Sequence, residues 1–401
     1  MDIFQKTSKK KIILFFFLSF GIISCNEKQI QYDDAIVIQC LNCTNEINFS
    51  SDNNNIFKQI EYIQLETTDD CLLKEIDYIE IIDTVILVVD NNRVYRFSKT
   101  NGEFLSELGS RGQGPRDHVS VKNLYVDRTE GTVSILDISQ SKIIEYDFSG
   151  NYISTRSMGL NTNLTNMAFN MTNGDMLFHN LLSPYSKSAF SVSIENADLI
   201  IDLLSYGNFE VKSYSVTFSK HPMTYTDEGV YCIMPFDNKI YLVKNDDVHR
   251  MDVKYAVEYP GKPSNMVMAK QEKPGIFITR LLMAKENCFP GFTAIFESSG
   301  KLILNTFNNQ MQSCFFYGDM TKLNGKYYNY SLSPEEDDPV FEITNVSENM
   351  FIAKLEASRL ADWKKLYKGE DMEKIKNQHL RTVIETSDVE DNQCLVIYYA
   401  Q

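Results

Sequence analysis

Two stretches in the first 160 residues of this chain align with each other at a fixed offset. One runs Val85-Ile86-Leu87-Val88-Val89-Asp90, then Arg93-Val94-Tyr95-Arg96-Phe97, then Asn101-Gly102-Glu103-Phe104. The other runs Val133-Ser134-Ile135-Leu136-Asp137, then Lys142-Ile143-Ile144-Glu145-Tyr146, then Ser149-Gly150-Asn151-Tyr152. The Asp recurs after 47 residues, and the Gly and its following aromatic after 48. A period in the forties with three or four short strands per unit is the pattern of β-propeller blades, in which no unit buries its apolar faces alone. Asp90 and Asp137 are expected to end a strand and start a turn. Gly102 and Gly150 are expected at hairpin tips with positive φ.

Later units are more degenerate. Asn173 to Phe178, Asp237 to Val243 and Ser298 to Leu304 each read as a turn followed by a strand, and strands are expected within Asn345–Leu355 and Gln393–Tyr399. Units at this spacing number about six. The outermost strands, Ile60–Leu65 and Cys394–Tyr399, are expected to share one sheet, because that pairing removes two exposed edges. The fold class expected is therefore all-β, a six-bladed β-propeller with small helical insertions. Two helical insertions are predicted: Gln271–Asn287, and Glu356–Arg381 as one or two surface helices split by Gly369.

Ahead of the repeats stands an export signal. Lys6, Lys9, Lys10 and Lys11 precede an apolar run from Ile12 to Ile23, which is too short for a comfortable bilayer span. The segment ends Gly21-Ile22-Ile23-Ser24-Cys25, which resembles the bacterial lipobox with Ile22 where Leu is usual. This implies cleavage before Cys25 and acylation of that residue, with several acyl chains giving stable anchoring. The expected organisation is a signal peptide over 1–24, a lipidated Cys and tether over 25–51, with Asn26 to Asp34 its polar start, and the propeller over 52–401. Across all 401 residues, 39 Lys plus Arg against 54 Asp plus Glu give a net charge of −15. Residues 1–24 hold four lysines and one aspartate, so the mature charge is −18. That argues against nucleic acid as a partner and means that lipid, not surface charge, must hold the body at an anionic membrane.

Chemistry-bearing motifs are sparse. Of eight Cys, seven lie beyond Cys25, an odd number that leaves at least one thiol free or paired between chains. Cys40-Leu41-Asn42-Cys43 is a lone CxxC, open to a structural disulfide or incidental reading, a redox reading and a metal reading. No two of the five His, at 118, 179, 221, 249 and 379, sit at helical metal-binding spacing, so each is expected at the surface or satisfied in the core. No zinc-protease, nucleophile-elbow or phosphate-loop motif occurs, and no cofactor, metal or catalytic residue is assigned. The acidic run Glu335-Glu336-Asp337-Asp338 lacks the alternating ligands of a calcium loop and reads as a solvated turn. Gly109-Ser110-Arg111-Gly112-Gln113-Gly114-Pro115 would cradle phosphate only if a helix followed. Val119 to Asp127 alternates like a strand instead, so a tight loop between sheets is expected.

Together these features resemble the six-bladed β-propeller lipoproteins of Bacteroidetes, relatives in shape of the NHL and TolB-like propellers. The matching pieces are the lipobox at Cys25, Tyr62-Ile63-Gln64-Leu65-Glu66-Thr67, the glycine-rich segment, and Asp391 to Tyr398 as closing strand. Departures are Gln393 where Pro is more usual, His118 in place of an aromatic or similar residue, and Arg116-Asp117 where Gly-Glu often follows. The resemblance implies an outer-membrane lipoprotein, periplasmic or surface-exposed, held to the bilayer through acylated Cys25. It makes Gly109, Arg111, Gly112, Gly114 and Pro115 a structural signature. The function expected is a non-enzymatic binding or scaffold module, with a glycan, peptide or envelope protein at the channel mouth where the blade loops meet. The alternative is a glycan-active hydrolase or lyase whose two carboxylates converge in that channel.

Overall fold

The computed structural model describes residues 35–42, 56–157, 165–171, 174–181, 188–194, 199–206, 219–259, 289–308 and 310–401. Their strands form antiparallel four-stranded meanders in chain order. The first holds Ile76–Ile82, Val85–Asp90, Arg93–Ser98 and Phe104–Glu107. The second holds Val121–Asp127, Thr132–Asp137, Lys142–Asp147 and Tyr152–Ser157, and the third Thr165–Asn170, Met176–Asn180, Ser188–Ile194 and Leu199–Ser205. The fourth runs from Met223–Thr226 to Asp252–Val257 and the fifth from Ala294–Ser298 to Asn324–Asn329. A closing sheet joins Ile343–Ser347, Met350–Leu355 and Cys394–Ala400 to Phe57–Gln64 from the other end of the chain. The expected pairing of the outermost strands is therefore present, with Ile60 opposite Tyr398 and Gln64 opposite Cys394.

The first strands of the meanders ring a central channel. Those of the first and second, second and third, fourth and fifth, fifth and closing, and closing and first sheets are neighbours. The third and fourth meet where Phe169 stacks on Tyr225 at 4.2 Å and the Tyr225 hydroxyl donates to the Asn170 carbonyl. This arrangement is propeller-like. Between the sheets lie apolar layers, among them Tyr78, Val89, Leu124, Ile135 and Tyr146 between the first two meanders. Buried polar side chains also pin one first strand to the next. Asn123 donates to the Ala168 carbonyl at 2.7 Å, and Asn345 donates to the Ile79 carbonyl. Each such bond contributes only about 1 kcal/mol net, but an unpaired amide there costs more, which sets the register between sheets.

Asp90 and Asp137 do one job twice. The Asp90 Oδ1 accepts from the Lys74 and Glu75 amides, just before the first strand of its own meander. Asp137 accepts from the Val119 and Ser120 amides at the same place in the second meander. The repeated Asp thus ties the strand's far end to the segment that leads into the sheet. Gly102 and Gly150 take φ of +75° and +91° at hairpin turns.

Two findings depart from the sequence reading. Ile36–Cys40, inside the segment expected to be tether, is a strand that pairs parallel with Asp252–Val257 on one side and Asn324–Asn329 on the other. It joins the fourth and fifth meanders into one nine-stranded sheet. Ile38 is wholly buried there, while Ile36 and Val37 stay exposed. The second concerns the helices: Ala357–Leu366 and Gln378–Thr386, with a short 3-10 turn at Gly369–Lys374 between them, are not merely superficial. Their Leu360, Trp363, Met372, Leu380 and Ile384 share a core with Val340, Phe341 and Tyr398 of the closing sheet and its approach. The predicted helix over Gln271–Asn287 lies outside the described residues, as does Cys25. No described helix is long and apolar enough to cross a membrane.

Candidate functional site

Each first strand runs from a face carrying the crossovers between sheets to a face carrying short hairpins. A cavity opens at each end of the channel. The wider, about 770 Å3, lies at the hairpin face and is lined from every sheet in the ring. The narrower, about 360 Å3, lies at the crossover face. Tyr78, Met167, His221 and Asn345 line both, so the two are ends of one channel. The larger opening is therefore at the hairpins, opposite the face where the crossovers gather.

One wall of the wide cavity is aromatic: Tyr225 stacks on Phe169, and Tyr125 lies 5.8 Å from Tyr225 between ring centroids. Another wall is an ionic network. Arg128 reaches Glu80 at 2.9 Å and also pairs with Glu348. The Ser347 hydroxyl donates to Glu80 at 2.6 Å, and the Tyr78 hydroxyl donates to it at 3.3 Å. Burial pushes the Glu80 carboxyl up, while Arg128 and these hydroxyls pull it down; burial is the larger influence. The network's bonds are spent internally, which makes it a rigid wall rather than a reactive group.

A third wall holds Asp227, Asn245, Glu297, Asn345 and Asn349. Glu297 accepts from the Gly300 amide at 2.8 Å. Its carboxyl is nonetheless raised, first by burial and then by the negative charge of Asp227. His221 lies deeper in the channel, its imidazole pushed down to about 4 by burial and by Lys220 and Lys354. It is therefore neutral near pH 7. Lys354, at the narrow end, donates to the Ile76 carbonyl at 2.9 Å and is lowered by burial.

The glycine-rich segment sits at the crossover face, outside both cavities. Gly109 has φ +72°, and a Cβ there would lie 2.5 Å from the Tyr146 hydroxyl. A Cβ on Gly112 or Gly114 would lie 2.6 Å from the Asp117 carboxylate. That carboxylate accepts from the Ser110 hydroxyl at 2.6 Å and the Gly114 amide at 3.0 Å, and these bonds hold it below the usual range. Lys142 donates to the Gly114 carbonyl, Gln140 to Gly112 and Thr155 to Pro115, so the loop is fastened onto the second meander. Arg111 is exposed. His118 is buried beneath, and neither ring nitrogen has a partner among the described residues, against the expectation of a satisfied core histidine.

Among the remaining candidates, Cys40 is disulfide-bonded, whereas Cys71, Cys232, Cys314 and Cys394 are free and buried. The acidic run forms a turn in which Ser331 donates to Glu336 and Asp337 pairs with Lys376. His179 is buried against Tyr206, and His249 and His379 are exposed. No cluster of three metal-ligating side chains occurs among the described residues. Sequence reasoning missed Tyr125, Tyr225, Glu80, Arg128 and Glu297. The available signal was their place near the ends of first strands, which shows only once the ring is closed.

Comparison with known proteins places this fold in a family. The family described as "Domain of unknown function (DUF4934)" matches residues 35–399, and the chain belongs to it. A solved structure of a protein named as exported, from Bacteroides fragilis, is 18% identical with a TM-score of 0.66, covering 91% of this chain and 100% of that one. That likeness shows the fold. A DUF4221-family member from Bacteroides vulgatus is 9% identical with a TM-score of 0.47, over 86% of this chain and 97% of its own. Virginiamycin B lyase from Staphylococcus aureus is 8% identical with a TM-score of 0.37, over 73% and 94%. No curated protein matches.

Proposed function

We propose that this protein is a six-bladed propeller lipoprotein, anchored in the outer membrane through acylated Cys25, that binds a ligand in the wide channel mouth without transforming it. The five meanders and the closing sheet are read as the six blades, each giving its first strand to the ring. The lipobox at Cys25 supports the anchor, and the exported character of the Bacteroides fragilis protein supports passage out of the cytoplasm. The domain limits proposed are a signal over 1–24, anchor and tether over 25–35, and the propeller with its N-terminal strand beyond.

The observation that carries the binding reading is the wide cavity: an aromatic wall of Phe169, Tyr225 and Tyr125 faces amides, hydroxyls and carboxylates drawn from all the sheets. Aromatic faces set against hydrogen-bonding rims suit polyhydroxylated ligands such as glycans, whose CH-rich faces stack while their hydroxyls bond. The test is a glycan and peptide screen on the soluble chain beginning after Cys25. Tyr225→Ala is expected to lower affinity of any hit at least tenfold, with a smaller change in melting temperature. Unchanged affinity would remove the wide mouth from the proposal.

A second reading rests on Glu297. A carboxyl raised by burial beside a second carboxylate, Asp227, is the environment of a general acid in glycan cleavage. Product analysis separates the two readings. Turnover that is lost in Glu297→Gln while binding persists would establish the enzyme.

A further inference from the structure

The wide mouth of the channel carries an uneven charge. Among its described lining residues, the carboxylates of Glu80, Asp227, Glu297 and Glu348 stand against a single cation, Arg128. Arg128 is already committed: it pairs with Glu80 and Glu348 and donates to the Ile81 carbonyl at 3.0 Å. Asp227 and Glu297 are left over, and neither is ion-paired among the described residues. The first strands of the fourth and fifth meanders bring them together. The Ile295 amide donates to the His221 carbonyl at 2.9 Å and the Glu297 amide to the Thr224 hydroxyl at 3.3 Å, so these strands run side by side. Asp227 follows, exposed in the tight turn between Thr226 and Gly229, while Glu297 is half-buried. Burial first, and then the charge of Asp227, raise the Glu297 carboxyl. The lysines of the channel, Lys220 and Lys354, line the narrow cavity and not this one.

We infer that the wide mouth selects a cationic ligand, a glycan bearing an unacetylated amino group that meets Asp227 and Glu297; this rests on the glycan-binding reading above. An ammonium group brings several donors and a positive charge, which two adjacent carboxylates accept while their mutual repulsion is relieved. Tyr225 adds an aromatic surface. Phe169 stacks on it at 4.2 Å, yet 36% of the residue is still exposed. Such a ring attracts cations within about 6 Å of its centroid and also stacks on the CH face of a sugar. An amino sugar uses both features at once. A bare metal ion fits less well, since calcium takes about six or more oxygens and no group of three ligating side chains occurs among the described residues. A carboxylate- or sulfate-bearing glycan meets repulsion instead, because the guanidinium that could receive it is held by Glu80 and Glu348.

The experiment titrates the soluble chain beginning after Cys25 with glucosamine tetramer and with its fully N-acetylated counterpart, by calorimetry at low and high salt. The amine form is expected to bind at least about tenfold more tightly at low salt, and to lose part of that advantage as salt rises. Asp227→Asn and Glu297→Gln are each expected to weaken the amine form about fivefold and to leave the acetylated form unchanged. Should Glu297→Gln fold poorly, the exposed Asp227→Asn carries the test. Glu130→Gln, exposed on a hairpin and outside the cavity, is expected to change neither affinity. An equal loss in Glu130→Gln would reflect general attraction to a chain of net charge −15, and overturns the site as its cause. Equal affinity for the two tetramers, both lost in Tyr225→Ala, overturns the charge preference but leaves glycan binding at the wide mouth standing. Binding of tetralysine but of neither sugar overturns the glycan as ligand. No binding of any of the three overturns the inference, while a neutral or anionic hit that depends on Tyr225 keeps the binding reading.

Discussion

The N-terminal part of this chain enters the sheets twice, in contrasting ways. Phe57–Gln64 lies antiparallel on Cys394–Ala400 over seven residue pairs and completes a sheet. Ile36–Cys40 lies parallel between two sheets, with three pairs on one side and two on the other. Parallel pairs are slightly weaker per residue, and this strand has two partially exposed apolar residues at its start. The first contact closes the ring. The second braces the outer edges of two sheets that a ring already holds, and covers edges that would otherwise be free to pair with other chains. Chain ends therefore serve two physical purposes here: cooperativity and protection.

Truncation should separate them most sharply. A chain starting at Glu66 lacks the closing strand and is expected to lose its cooperative thermal transition in circular dichroism. A chain starting at Cys43 is expected to keep that transition at a lower midpoint and to aggregate faster, as light scattering would show. Loss of the transition in both would mean that the brace, too, is needed for the ring.

Point changes should follow the same order. Tyr398 is fully buried, with its hydroxyl accepting from the Phe341 amide and donating to the Pro339 carbonyl. Tyr398→Ala is expected to cost about 4 kcal/mol in urea unfolding. Ile38→Ala, also fully buried, is expected to cost about 2 kcal/mol. Its cost cannot exceed that of detaching the strand.

Gly102 tests how closely the first meander approaches the closing strand. A Cβ there would lie 1.9 Å from the Gln64 carbonyl oxygen, whereas one on Gly131 would meet nothing within 4 Å. Both residues have positive φ. Gly102→Ala is expected to lower stability by about 2 kcal/mol and Gly131→Ala by about 1 kcal/mol, the difference being the clash. Equal effects in melts of the two variants would mean that the closing strand yields.

Acid should loosen the third and fourth meanders before the closing sheet. His179, buried in the third meander, and His221, at the start of the fourth, are held down to about 3 and about 4 by burial. A histidine with a lowered folded pKa favours the neutral form. The stability it confers is complete above its unfolded pKa near 6.5 and is lost as pH falls from there toward about 4. Hydrogen exchange at pH 5 is expected to rise first in the third and fourth meanders. Uniform loss of protection across the ring would count against this.

How legible each region was follows from the range of its interactions. The repeat of Asp90 with Asp137 and of Gly102 with Gly150 could be read because turn chemistry is local. The pairing of the terminal strands could be anticipated because two edges of one closed fold have few other partners. The brace went unread, although Ile36-Val37-Ile38 has the β-branched character of a strand, because a polar context before and after it masked the signal. The helices over 357–386 were visible from their apolar spacing. Their burial against Phe341 was not, since that needs the closing sheet in place.

Residues close together in the chain made the repeating unit, its turns and the lipobox-like segment ending at Cys25 readable from the residue order. The tertiary structure alone decided which side chains share the channel. Tyr78, Tyr125, Tyr225, Glu297 and Ser347 come from four different meanders and the closing sheet, and meet only when the ring closes. The direction of one short parallel strand was decided there too, because pairing with two distant edges, and not any local preference, sets which way Ile36–Cys40 runs.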